Sequence, residues 1–150
     1  MSRELVLVLP APATLDSLRA TLNWLYKLSP PVEGLEALDE LGVKDVDDRY
    51  VATIENLNIA NAPGSPPDPL GSLRFALREK SVDPDAMSYF WIRVSDWRAT
   101  NGMLTKLTNN DGAWLFAPDW SLLFSGKIYA TQVQQDPDWD YLDADGRARL

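Results

Sequence analysis

Leu5 to Leu9 form an unbroken apolar run near the start of the chain, preceded by Glu4 and stopped by Pro10. Leucine and valine with no polar residue between them leave no face for water, so the run reads as a strand buried on both faces. Thr14 then offers an N-cap to a helix whose Leu15, Leu18, Leu22 and Leu25 share one face. Asp16, Arg19, Asn23 and Lys27 make the opposite, polar stripe, with the acid near the start and the lysine near the end, as the helix dipole favours.

Ser29-Pro30-Pro31 ends that helix and can start a second, with Leu35, Leu38 and Leu41 along its apolar edge and Gly42 placed to end it. Tyr50 to Ile59 looks extended, and the proline-rich Asn61 to Gly71 reads as a loop. From Leu73 the period changes to two. Leu73, Phe75 and Leu77 alternate with Arg74, Ala76 and Arg78, the pattern of a half-buried strand. A turn at Asp83-Pro84-Asp85 leads to a strand from Met87 to Val94, with Phe90, Ile92 and Val94 on one face and Tyr89, Trp91 and Arg93 on the other. Ser95 to Thr108 carries a helical hint in Met103, Leu104 and Leu107, interrupted by Asn101-Gly102. Two further strands, Ala113 to Ala117 and Trp120 to Phe124, are followed by Ser125-Gly126 as a two-residue hairpin loop and a last strand from Lys127 to Val133.

This order predicts an α+β fold, with the N-terminal strand and two helices packed on one face of a mainly antiparallel sheet. A doubly wound fold would need helices alternating with strands to the end. Residues 1–135 form a single domain on this reading, and 136–150 an acidic C-terminal tail. With 150 residues the chain can bury roughly two thirds of its unfolded surface without a disulfide or metal.

The chain contains neither cysteine nor histidine. A thiolate nucleophile, a disulfide framework, a Cys- or His-ligated zinc and a Ser-His-Asp triad are thereby excluded. Carboxylate or lysine chemistry and oxygen-ligated cations remain. Asp47, Asp48, Glu55, Asp96 and Asp119 are candidates for a carboxylate pair, although Asp96 and Asp119 also suit caps and turns. Asp136, Asp138 and Asp140 imitate the start of a calcium loop, but Tyr141 and Arg147 stand where that loop needs glycine and glutamate. Ser125-Gly126-Lys127 lacks the upstream glycine-rich cradle of a phosphate loop. No metal and no cofactor is expected.

The formal net charge is −8, and twelve of the twenty-two acids lie in Glu33 to Asp48 and Asp136 to Asp145. Such a balance opposes nucleic-acid backbone binding and favours a basic protein partner. No stretch approaches the ~18–20 apolar residues of a membrane span. Leu5 to Leu9 is too short for a leader's apolar core, so a cytoplasmic protein is expected.

Two surfaces are candidates for contact. Tyr89, Trp91 and Arg93, with Arg74 and Arg78 beside them, combine aromatic rings and guanidinium groups, either as an interface or as a second buried layer. Asp45, Asp47 and Asp48, together with Asp138, Trp139, Asp140 and Tyr141, join carboxylates to aromatics in a way that suits a cationic partner. The function these features predict is a small acidic protein-binding domain that inhibits or neutralises a protein, of the immunity-protein or antitoxin kind, and no enzyme. The alternatives are a phage or assembly adaptor and a carboxylate-dependent hydrolase.

Overall fold

A computed structural model describes residues 3–23, 25–29, 40–57, 69–109, 111–118 and 122–139. Its strands are β1 (Arg3–Pro10), β2 (Lys27–Ser29), β3 (Glu40–Lys44), β4 (Tyr50–Leu57), β5 (Met87–Val94), β6 (Trp114–Ala117) and β7 (Leu122–Ser125). The helices are α1 (Leu15–Leu22), α2 (Pro69–Glu79), α3 (Trp97–Leu107) and α4 (Gly126–Gln135). All seven strands join one sheet in the order β2-β3-β4-β5-β1-β6-β7, and every pairing is antiparallel. The fold is α+β.

β1 lies inside the sheet, between β5 and β6. Leu5, Leu7 and Leu9 point to one face and join Phe90, Ile92, Ile54 and Leu115 in the larger core. Val6 and Val8 point to the other, with Tyr89 and Phe116. Each of the five residues Leu5 to Leu9 is buried, which accounts for the unbroken apolar run. Taking a leucine or valine of this kind out of water contributes roughly 1.5–3 kcal/mol before the entropy of ordering it.

The larger core is closed by α1 through Leu15, Leu18 and Leu22, by α3 through Met103, Leu104 and Leu107, and by α4 through Tyr129 and Val133. Thr14 caps α1 in a reciprocal box with Ser17, and Asp96 caps α3 by accepting from the Ala99 amide at 2.9 Å. The second face is closed by α2, whose Leu73 and Leu77 lie one helical turn apart against Val6, Val8 and Tyr89. The sheet is therefore covered on both faces rather than one, as a strand apolar on both faces requires.

Several sequence expectations are corrected. Leu73 to Arg78 is helix, because Leu73 and Leu77 satisfy a helical repeat as well as a strand repeat, and arginine, alanine and leucine all favour helix. Lys127 to Val133 is also helix, and Ser125 is its N-cap rather than a hairpin residue, accepting from the Ile128 amide at 3.1 Å. Gly126 follows because a Cβ there would lie 2.8 Å from Thr108 Cβ and 2.9 Å from its carbonyl oxygen. α1 stops at Leu22, so Leu25 leaves the helical face, and Glu40 to Gly42 begin a strand where the end of a second helix is expected. The rest of that second helix, most of the proline-rich stretch 61–71 and residues 140–150 lie outside the described residues.

Candidate functional site

The β3–β4 hairpin turns through Asp45 to Arg49. The Asp45 carboxylate accepts from the amides of Asp47 at 2.9 Å and Arg49 at 3.0 Å, while its own amide donates to the Arg49 carbonyl. Asp48 adopts the left-handed conformation at φ 63°, which aspartate tolerates better than most residues. Its carboxylate meets Lys27 Nζ from β2 at 3.1 Å. The carboxylate of Asp47 has no hydrogen-bond or ion-pair partner among the described residues. Of the three acids expected here, Asp45 shapes the turn and Asp48 ties it to β2, while the Asp47 carboxylate is unpaired among the described residues.

The same turn carries exposed apolar side chains. Val46 at its tip is 70% exposed and Tyr50, which opens β4, is 65% exposed, with Lys44 Nζ 4.6 Å from the centre of its ring. Lys27 pairs with Lys44 in the sheet register, so Leu25, two residues before Lys27 and 47% exposed, lies at the same end of the strands. Leu25, Val46 and Tyr50 are three of the five large apolar side chains that stand exposed among the described residues. Isolated exposed apolar residues are ordinary, but gathering three at one corner of a sheet makes a patch. It carries three charges of each sign: Lys44 and Arg49 flank Asp45, Asp47 and Asp48 in the turn, and Lys27 joins them from β2. The local field is thus mixed, even though the whole chain is strongly acidic. Exposure of Leu25 is the signal that sequence periodicity conceals, since its spacing continues the buried stripe of α1.

The other candidate residues separate. Tyr89 is buried and Trp91 half-buried beneath α2, so this face is a second packed layer. Arg74 and Arg78 do lie beside Tyr89, but on a helix rather than a strand, and their charges act on its hydroxyl. That hydroxyl donates to the Pro84 carbonyl at 2.5 Å, and burial pushes its pKa up to about 12. Arg93 is exposed and lies between Glu4 of β1, directly opposite at 4.0 Å, and Glu55 of β4, diagonally placed at 3.4 Å. Glu55, a candidate catalytic acid, is thereby engaged in a cross-strand ion pair.

At the C-terminal end Asp136 accepts from the Asp138 amide, and Asp138 pairs with Arg98 at 3.6 Å. Trp139 turns into the core rather than to the surface. It is 1% exposed and packs edge-on against Tyr129 and Phe124, at centroid distances of 5.6 and 6.1 Å. A large ring gains more from the core than from an acidic surface, and that preference overrides the polarity of its neighbours. Asp140, Tyr141 and Asp119 lie outside the described residues. Lys127, at the supposed phosphate-loop position, instead pairs with Asp111, and this contact holds the Asp111 carboxyl below its ordinary pKa. Among the described residues no three acids converge to hold a cation, and no helix is long and apolar enough to cross a membrane.

No protein-family model, curated protein or solved structure matches this chain.

Proposed function

We propose that this chain is a protein-binding domain that neutralises a protein partner, and that it grips the partner with the sheet corner formed by Leu25, Val46 and Tyr50. The observation that carries the reading is the exposure of Val46 and Tyr50 on one hairpin and of Leu25 at the same end of the neighbouring strand β2, with Arg49, Lys44 and Asp47 in the same hairpin. A tyrosine with an adjacent guanidinium and an aliphatic anchor has the composition of an interface hot spot. The turn is pre-ordered by the two bonds that Asp45 accepts, so little conformational entropy is lost when a partner closes over it.

Net charge and local charge play different parts in this proposal. The overall −8 steers a basic protein towards the domain and speeds encounter, whereas the mixed charges of the corner fix orientation once contact is made. Neutralisation then follows by occlusion: a knob about one hairpin wide fits a concave site and keeps its substrate out.

The test is affinity capture from a lysate of the source cells with the wild type and with a Val46→Asp, Tyr50→Ser double variant. Both side chains are solvent-exposed, so the variant is expected to fold with an unchanged melting temperature. A single stoichiometric protein retained by the wild type and lost by the variant supports the reading. Equal retention by both removes the corner from it, and a wild type that captures only further copies of itself replaces neutralisation with assembly.

A further inference from the structure

A cleft of about 410 Å³ opens where the β4–β5 ladder ends beneath α2. It lies within the size range, from roughly 300 Å³ upwards, of pockets that take small organic ligands. Leu57, Met87 and Phe90 supply apolar wall, and the Arg74 guanidinium reaches in from α2. Arg74 has its side chain only 30% exposed, an expensive place for a cation unless an anion accompanies it. Its present partner is Asp85, at 3.6 Å and itself 75% exposed. A pair so long and so wet is weak.

We propose that this cleft binds a small carboxylate carried on an apolar body, with Arg74 as its anchor and Asp85 as the resident competitor. A ligand carboxylate can form two parallel bonds to a guanidinium at roughly 2.7–2.9 Å, a geometry the Asp85 contact does not reach. The neighbouring groups leave Arg74 available. Asp83, the next acid along, accepts from the Asp85 amide at 3.0 Å, and the Tyr89 hydroxyl is engaged by the Pro84 carbonyl. The charged residues in the cleft wall are Arg74 and Asp85, one of each sign. More distant acids of the −8 chain are screened, since the Debye length is about 8 Å at physiological ionic strength. Leu57, Met87 and Phe90 then select an aromatic or branched aliphatic body over a bare anion.

The proposal is tested by amide chemical-shift titration of the full chain with phenylacetate, phenylacetamide and N-acetylglycyl-phenylalanine. Phenylacetate is expected to move the amides of Leu57, Ser88 and Phe90, and its neutral amide to bind at least about tenfold more weakly, as loss of a charged pair implies. Arg74→Gln abolishes the response. Asp85→Asn, a change on an exposed side chain that leaves the fold intact, removes the competitor and tightens binding severalfold. A tighter response to the peptide identifies a chain terminus as the source of the carboxylate, and a tighter response to phenylacetate identifies a free acid; either supports the site. No response from wild type or from Asp85→Asn, equal binding of acid and amide, or weaker binding by Asp85→Asn overturns it.

Discussion

The side-chain amide of Asn101, buried in α3, donates to the backbone carbonyl of Trp139 at 2.9 Å and to that of Pro137 at 3.1 Å. The same Trp139 carbonyl accepts from the Trp97 indole at 2.9 Å, and the Asn101 carbonyl oxygen accepts from the Tyr129 hydroxyl. One buried asparagine therefore joins α3, α4 and the chain that follows α4, and all of its polar atoms face protein partners rather than water.

This junction makes the first prediction. Asn101→Ala removes the acceptor of the buried Tyr129 hydroxyl and a donor to the Pro137 and Trp139 carbonyls, at about 1–3 kcal/mol. Trp139→Ala removes a ring that is 1% exposed and costs about 3–5 kcal/mol. Because the two residues touch, the double variant should lose less than the two single losses combined. Urea unfolding of the four proteins measures this. Independent, fully additive losses would contradict a shared junction. It also follows that truncation after Gln135 removes core, not merely an acidic surface.

α2 gives a prediction that separates helix from strand. In a strand, Leu73, Phe75 and Leu77 would share one face and cost alike when truncated. In the helix, Leu73 and Leu77 are fully buried while Phe75 is 63% exposed. Leu73→Ala and Leu77→Ala should each cost about 2–5 kcal/mol, and Phe75→Ala no more than about 0.5 kcal/mol. Denaturant midpoints decide between them. A large loss at Phe75 would return this segment to the sheet.

Gly126 is held to its identity by close packing, not by an unusual backbone angle. Gly126→Ala places a methyl 2.8 Å from Thr108 Cβ and 2.9 Å from its backbone oxygen, with Ala113 Cβ at 3.1 Å. The start of α4 must move, at a cost of about 1–3 kcal/mol. Thermal unfolding with an unshifted midpoint would show that the contact relaxes freely.

Alkaline pH should weaken the fold through Tyr89. Burial raises its pKa from 10.0 to about 12, so the folded chain holds this proton more tightly than the unfolded chain does. The associated stability is complete below pH 10 and is lost as pH rises towards 12. Tyr89→Phe should flatten that decline without abolishing it, because Tyr26 is also raised by burial. Unfolding free energies measured from neutral pH to about pH 11 test this, and an equally steep decline in Tyr89→Phe would exclude Tyr89 as its cause.

How much of this was legible in the sequence depends on where the determining contact lies. β1, α1 and β5 are set by local pattern: an unbroken apolar run, a threonine cap ahead of a leucine stripe, and a period of two. Leu73 and Leu77 are four apart and fit both periods, so the pattern alone cannot choose. Ser125-Gly126 has the composition of a hairpin loop, yet its glycine answers to Thr108, a contact eighteen residues away in the chain. Asn101-Gly102 looks like a helix breaker but stands inside α3, where the bonds to Pro137 and Trp139 occupy the asparagine. Trp139 carries no local sign of burial in its aspartate-rich setting. For the candidate corner, Asp45, Asp47 and Asp48 are visible as a cluster, while the exposure of Leu25, Val46 and Tyr50 emerges only from the register of β2, β3 and β4.

The most direct measurement is site-specific photo-crosslinking in the source cells, with a photoreactive residue at Val46 and, as a control, at exposed Lys127, which follows β7 at the opposite edge of the sheet. A single heavier adduct formed from position 46 and not from position 127 is the expected result, and its mass identifies the partner. Adducts of equal yield from both positions, or none from position 46, would contradict recognition through the hairpin corner.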